Sequence, residues 1–203
     1  ENHFKQALAL DPAFTDARLA LVRNYLMKHG TGLISDDEMT RRVGSLIAQV
    51  REAHPENRLA RAFELTAAER VFDPGTTREA REARIDELRN LLPLIPTETY
   101  VREIVANTLI FFFMRPQQAL EVIQAGLLID PLAADLHSSL GNIYRDLQEL
   151  DQAREAFQRS QQLAPDNPNV YADLALLEQE VAGLEKRLAS PEEVLGHLKD
   201  KGG

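Results

Sequence analysis

Apolar residues recur every three or four positions over much of this chain, and prolines separate the stretches in which they do so. That spacing places apolar side chains on one face of an α-helix. Near the carboxyl end the steps run 3, 4, 3 and 4 through Leu174, Leu177, Val181, Leu184 and Leu188. This seam predicts one helix from about 169 to 188, and we expect the rest of the chain to be helical as well.

A unit of 34 residues, 134–167, indicates how the predicted helices pack. Its distinctive positions are three large residues, three small ones and a proline: Leu140, Tyr144, Phe157, Gly141, Ala153, Ser160 and Pro165. The small residues let two antiparallel helices approach closely, and the large residues fill the space between one hairpin and the next. The proline cannot continue a helix, so it ends the second helix of the pair.

This arrangement resembles the tetratricopeptide repeat. Counted from Ala134, the seven residues occupy positions 7, 8, 11, 20, 24, 27 and 32 of that family's 34-residue pattern. Two residues depart from it, because His137 stands where Trp is usual and Ser160 where Ala is usual. The resemblance implies an all-α fold, a right-handed superhelical solenoid of antiparallel helix pairs, which binds other proteins and is not an enzyme.

The same frame extends along the chain. We predict a single solenoid domain over 1–203, with repeats at 1–14 (partial), 15–57, 58–98, 100–133, 134–167 and 168–189 and a capping helix at 190–200. The second and third of these are longer than 34 residues, and we place the extra residues between their two helices. Ser35, and Thr76 or Thr77, are the expected helix caps after these loops. A coiled-coil partner site is the less favoured interpretation of the carboxyl-terminal seam, which is short for that structure.

Residues 4–12, FKQALALDP, match positions 24–32 of a repeat whose first helix is missing, and the chain has no initiator methionine. We therefore expect it to be part of a larger protein. Residues 127–165, LLIDPLAADLHSSLGNIYRDLQELDQAREAFQRSQQLAP, are similar to tetratricopeptide regions of bacterial multidomain regulators. That similarity implies the sensing or partner-binding half of a regulator whose effector domain lies elsewhere.

Composition limits the class of partner and the compartment. The net charge of −9 argues against nucleic acid as the main partner. The longest apolar run, 106–114, is about half the roughly 20 residues that a membrane helix needs, so we expect no membrane span. With no cysteine there are no disulfides or thiol chemistry. The compartment stays open, with the cytoplasm favoured and the bacterial periplasm as the alternative.

The sequence offers little catalytic chemistry. It has no glycine-rich phosphate loop, no G-x-S-x-G and no H-E-x-x-H motif. The five histidines are far apart, and repeat phase assigns His137 to packing. Asp135, His137 and Ser138 lie on one helix at spacings that cannot build a triad. We expect no enzyme activity, no cofactor and no metal site.

In the tetratricopeptide family, positions 2, 5, 9, 12 and 13 of each first helix line a concave groove. Carried onto this chain, that frame predicts a partner-binding groove lined by Val101, Ile104, Thr108, Phe111, Phe112, Ser138, Asn142, Arg145 and Leu176. The first five form an apolar patch, which usually marks a binding surface. One subclass of the family grips the C-terminal carboxylate of its partner with Lys at position 5 and Asn at position 9. Asn142 matches at position 9, but position 5 is Ser138, so this carboxylate clamp is not expected.

Three consecutive aromatics, Phe111, Phe112 and Phe113, span about 200° of a helix and cannot all face one neighbour. We expect Phe113 in the core and the other two in the groove; the alternative is that the stretched repeat 58–98 buries all three. The leading hypothesis is an adaptor that binds a peptide or helix of a protein partner. The rivals are a self-association module, such as a homodimer, and a ligand-sensing region with its ligand between the stretched repeats of 15–98.

Overall fold

The chain is described by a computed structural model over residues 1–71 and 73–189. Within those residues it is all-helical, as predicted, and falls into two compact units, Glu1–Met114 and a second that begins at Arg115. The helices are α1 (Asn2–Leu10), α2 (Thr15–Gly30), α3 (Asp36–Ala53), α4 (Arg58–Arg70), α5 (Arg78–Leu91), α6 (Thr99–Phe111), α7 (Pro116–Leu127), α8 (Ala134–Asp146), α9 (Leu150–Leu163) and α10 (Pro168–Ala189), with a 3-10 turn at Leu92–Leu94.

The first unit contains α1 to α6. Helix α2 packs on α1, α3 and α4, and α6 packs on α4 and α5. Fully buried side chains from five of these helices, α2 to α6, form its core, among them Val22, Met39, Phe63, Leu88 and Val105. Burying each such side chain contributes about 1.5–3 kcal/mol relative to leaving it exposed, so helix packing dominates the stability of this unit.

Side-chain caps fix the start of three helices in the first unit. Ser35 accepts a hydrogen bond from the backbone N–H of Glu38 at 3.3 Å, and this cap was expected from the sequence. Asn57 caps α4. Of the two threonines proposed for α5, Thr77 is the cap, accepting from Ala80 N–H at 3.2 Å. Such caps satisfy donors that have no partner inside the helix.

The second unit contains α7 to α10, and close packing of α8 on α9 organises it. A Cβ built on Gly141 of α8 would lie 2.5 Å from ring atoms of Phe157 on α9, nearer than any real Cβ contact. Phe157 is fully buried with Ala153 and Leu177, and Tyr144 packs against them. Ser160 Oγ donates to the carbonyl of Ala134 at 2.8 Å, which ties the end of α9 to the start of α8.

A tight turn follows α6 and α8, the first helices of the predicted repeat 100–133 and of the repeat 134–167. Met114 and Gln148, at the same repeat position, have φ angles of 55° and 61°. This left-handed conformation is rare for residues with a side chain. Its occurrence at equivalent positions shows that the geometry of the turn recurs with the repeat.

A buried ion cluster joins α4 to α5. The side chain of Glu69 is 1% exposed and accepts hydrogen bonds from Arg81 Nη1 at 2.6 Å and Arg84 Nε at 2.5 Å. A carboxylate removed from water needs such charged partners, because its desolvation costs several kcal/mol. Helix α5 is therefore held to the end of α4 by charge as well as by apolar contacts.

The predicted long helix after residue 168 is present as α10. The capping helix predicted at 190–200 lies outside the described residues. Continuity of the whole chain as one solenoid domain stays a prediction.

Replacing Gly141 by leucine should lower the free energy of unfolding by about 1–3 kcal/mol, because the new side chain overlaps the Phe157 ring. The matched control is Gly183→Leu on α10, where an added Cβ meets no atom within 4 Å. Urea unfolding followed by circular dichroism measures both. An unchanged midpoint for Gly141→Leu would contradict the packing of α8 on α9.

Replacing Glu69 by glutamine should lower the free energy of unfolding by about 3 kcal/mol or more, because two guanidinium groups lose their buried counter-charge. Glu87→Gln is the control, since Glu87 pairs with Arg61 at 2.7 Å with both side chains about 40% exposed; it should cost about 0–1 kcal/mol. Equal losses in thermal or urea unfolding would show that burial of the Glu69 cluster carries no special energetic weight.

Candidate partner-binding surfaces

Helix α6 is apolar around most of its circumference, and nine of its 13 residues are buried. Val101, Ile104 and Thr108 are among them, with exposures of 0%, 5% and 6%. The expectation that these three face an open groove is therefore corrected. A helix that is hydrophobic nearly all round is buried nearly all round. Repeat position alone does not predict this burial.

The carboxyl end of α6 presents two aromatic rings to solvent. Phe111 is 74% exposed and Phe112 is 51% exposed, whereas Phe113 is 5% exposed. This is the division expected from repeat position, although α6 ends at Phe111 and Phe113 lies in the turn beyond it; the alternative in which all three are buried is wrong. Met114, at 81% exposure, extends the same apolar surface. We call Phe111, Phe112 and Met114 the aromatic edge.

Arginines of α5 support the aromatic edge from within the first unit. The Arg81 guanidinium lies 4.0 Å from the centre of the Phe112 ring, and the same group is held by buried Glu69. Arg78 lies 5.4 Å from the centre of the Phe113 ring. Such cation–π contacts contribute about 0.5–2 kcal/mol. One face of Phe112 is thus fixed by α5, while the ring stays half exposed.

The predicted groove residues of the second unit lie on α8 and α10, on a polar surface. Ser138 Oγ donates to Asp173 Oδ2 on α10 at 3.1 Å, and Asn142 Nδ2 donates to the Ser138 carbonyl at 3.3 Å. Ser138, Asn142 and Arg145 are half-buried. Leu176 on α10 is 54% exposed. The structure joins Ser138 and Asn142 by a hydrogen bond. Binding of a partner by the six predicted residues that are not buried stays a prediction.

Two contacts at these surfaces had no sequence signal. Arg81 and its counter-ion Glu69 lie 31 and 43 residues before Phe112, so no local pattern connects them with the ring. Asp173 was not among the expected residues, although it binds Ser138 across α8 and α10. The sequence pattern assigned faces to single helices and did not pair side chains between them.

Burial in α6 shifts the pKa values of two ionisable side chains. Burial raises the pKa of Tyr100, whose hydroxyl donates to the Leu26 carbonyl at 3.0 Å. Burial lowers the pKa of Arg102, which is 3% exposed. Within residues 1–71 and 73–189, no cluster of three metal-ligating side chains occurs, and no helix has the length and hydropathy of a membrane span.

Comparison with known proteins supports the repeat assignment. The family model described as tetratricopeptide repeat matches residues 134–167. No curated protein matches the chain. The packing of Gly141 against Phe157 lies inside the matched unit, so the family pattern and the observed contact concern the same hairpin.

Several solved structures share the fold at low sequence identity. A human IFIT1 dimer with m7Gppp-AAAA gives a TM-score of 0.66 at 16% identity over 95% of this chain and 44% of that one. TTC0263, a thermophilic tetratricopeptide repeat protein of Thermus thermophilus, gives 0.60 at 15% identity over 87% of each chain. MamA gives 0.50 at 20% identity over 86% of this chain and 94% of that one. Residues 134–167 are thus a tetratricopeptide repeat, and these likenesses show that the described chain shares the fold of a tetratricopeptide repeat protein.

Proposed function

We propose that the chain is a non-catalytic scaffold that binds a peptide or helix of a protein partner. The observation that carries this proposal is the aromatic edge, where Phe111, Phe112 and Met114 are each at least half exposed at the end of one helix. Aromatic residues dominate binding energy at interfaces, and clustered apolar side chains on a protein surface usually mark a contact site.

The support beneath the aromatic edge favours a binding role. Arg81 holds one face of the Phe112 ring, and Glu69 holds Arg81, so the ring is positioned before any partner arrives. Pre-organised side chains lose less conformational entropy on binding. Val101, Ile104 and Thr108 are buried in α6 and contribute rigidity, not contact.

In the second unit, we propose that α8 and α10 supply a polar contact surface. Ser138, Asn142 and Arg145 present hydrogen-bonding groups that are half-buried, and Leu176 adds one exposed apolar side chain. Polar groups of this kind contribute specificity more than affinity. This surface suits the hydrogen-bonding groups of a protein partner, whereas the aromatic edge of the first unit suits an apolar segment.

Self-association is the second candidate, and the exposure of Phe111 and Phe112 favours it as well. Two copies that join through the aromatic edge would remove the same rings from water. A partner would then compete with the second copy for the aromatic edge, or the homodimer would itself be the functional form.

Phe112→Glu and Phe111→Glu should each reduce capture of a protein partner from source-organism lysate at least about tenfold, since a hot-spot aromatic contributes about 2 kcal/mol or more. Leu33→Glu is the control, because Leu33 is 73% exposed in the loop between α2 and α3. Quantitative mass spectrometry compares the captured proteins after circular dichroism shows equal helicity. Equal capture by all variants would contradict binding at the aromatic edge.

Self-association predicts that the molar mass of the wild-type chain rises with concentration in light scattering and that Phe112→Glu stays monomeric. A wild-type mass that stays at one chain across the concentration range would eliminate this second candidate. A mass that rises equally in both proteins would place the contact between copies elsewhere.

A further inference from the structure

An open groove of the first unit lies between α1, α2 and α3. Among the described residues that line it, the charged ones are Lys5 of α1 and Arg41 and Arg42 of α3, so every charged side chain there is cationic. This contrasts with the net charge of the chain, which is −9. We call this surface the basic groove. Its lining residues belong neither to the aromatic edge nor to the surface of α8 and α10.

A carboxylate of the chain already occupies the point at which these cations converge. Glu1 accepts hydrogen bonds from Lys5 Nζ at 2.6 Å and from the Tyr25 hydroxyl at 3.2 Å. Lys28 Nζ binds the same carboxylate, and Arg42 Nη1 lies 3.8 Å from it. The hydrogen bonds from Lys28 and Lys5 lower the pKa of Glu1 to about 2. A free phosphate or other small anion would therefore have to displace an ionised carboxylate that is held by several donors.

Positive charge remains after this carboxylate is counted. Arg42 Nη2 binds Glu38 Oε1 at 2.5 Å. The exposed side chain of Arg41 forms no hydrogen bond or ion pair within residues 1–71 and 73–189. Four cations and two carboxylates make up the cluster, so two positive charges are in excess. Asp37, one helical turn before Arg41, reduces this excess without forming an ion pair with it.

The floor of the basic groove is apolar. Leu21 and Tyr25 of α2 are buried, and Leu46 of α3 is half-buried. Beside them Ser45 Oγ accepts a hydrogen bond from Gln49 Nε2 at 3.4 Å, which leaves its own hydrogen for a ligand. A cationic rim over an apolar floor fits a molecule that carries both carboxylates and aliphatic side chains. A protein segment has both, whereas a nucleic acid has phosphates but no aliphatic side chains.

We propose that the basic groove binds an acidic segment of a protein partner, with carboxylates on the cationic rim and an aliphatic side chain over Leu46. Such complementarity sets specificity and association rate more than affinity. The groove of the tetratricopeptide family is lined by first helices, whereas α1 and α3 are second helices of the predicted repeats 1–14 and 15–57. This surface is separate from the aromatic edge, so either proposal can fail without the other.

The first test titrates the full wild-type chain with a short peptide of Glu and Leu. Control peptides of equal length carry Gln or Lys in place of every Glu. NMR should show saturable shifts for the Arg41 side-chain N–H and the Leu46 methyls, and none for the Ile143 methyls of the second unit. The Glu peptide should bind at least about tenfold more tightly than either control at low salt, and its affinity should fall as salt is added.

Equal binding of the Gln peptide would overturn the selection by charge. Absence of saturable shifts at Arg41 and Leu46 would overturn the site, and shifts confined to Phe111 and Phe112 would assign the peptide to the aromatic edge instead. Tighter binding of an oligothymidylate than of the Glu peptide would overturn the protein class of the partner.

The second test reverses one charge of the rim. Arg41→Glu should weaken binding of the Glu peptide at least about tenfold in calorimetry, because a like charge replaces a cation. Arg159→Glu is the matched control, since Arg159 is an exposed arginine on α9 of the second unit and its replacement changes the net charge equally. It should leave the affinity within about twofold. Equal affinity of the two variants would overturn the assignment.

Ser45→Glu provides an independent variant, because it adds a carboxylate to the groove and removes no cation. It should weaken binding of the Glu peptide as well, and it decides the test if Arg41→Glu loses helicity. Light scattering of the wild type and of Arg41→Glu covers the remaining occupant. A molar mass that rises with concentration only in the wild type would identify a second copy of this chain in the groove and overturn the assignment to a different protein.

Discussion

The contact between Gly141 and Phe157 is the constraint on which the second unit depends. Because position 141 has no side chain, the Phe157 ring can lie against the α8 backbone, and α9 can approach closely enough for Ser160 to bind the carbonyl of Ala134. Leu177 of α10 then completes the cluster around the ring. The spacing of small and large residues in the tetratricopeptide pattern thus reflects the contact between Gly141 and Phe157 and the neighbouring contacts of Ser160 and Leu177 that depend on it.

In the first unit the helix pairs span more residues, and buried ion pairs as well as apolar contacts hold α4 to α5. In the predicted repeat 15–57 most of the extra residues lengthen the helices α2 and α3, which corrects the expectation that they lie in the loop between them. In the predicted repeat 58–98, α4 ends at Arg70 and α5 begins at Arg78, so extra residues do separate the two helices. Buried Glu69 ties α5 to the end of α4 through two arginines. One of those arginines, Arg81, supports the Phe112 ring. A single buried carboxylate therefore connects the stability of the unit with the position of the Phe112 ring.

The chain shares its fold with IFIT1, TTC0263 and MamA at low sequence identity, so the partners of those proteins cannot be assigned to it. The repeat architecture recurs with different partners, because the packing positions and the surface positions of each helix are separate sets of residues. In this chain the packing set is well defined, as at Gly141 and Phe157. The surface set is particular to it, with an exposed aromatic edge in one unit and a polar α8–α10 surface in the other.

The sequence by itself determined the features that act over one or two helical turns. Helical periodicity gave the all-α class and the extent of α10, repeat position indicated that Phe113 faces inward, and local chemistry indicated a cap at Ser35 and another at Thr76 or Thr77. Only the tertiary structure decided the burial of Val101, Ile104 and Thr108 and the ion pair of Glu69 with Arg81. These depend on which side chains of other helices arrive at a surface, and periodicity within one helix carries no information about its neighbours.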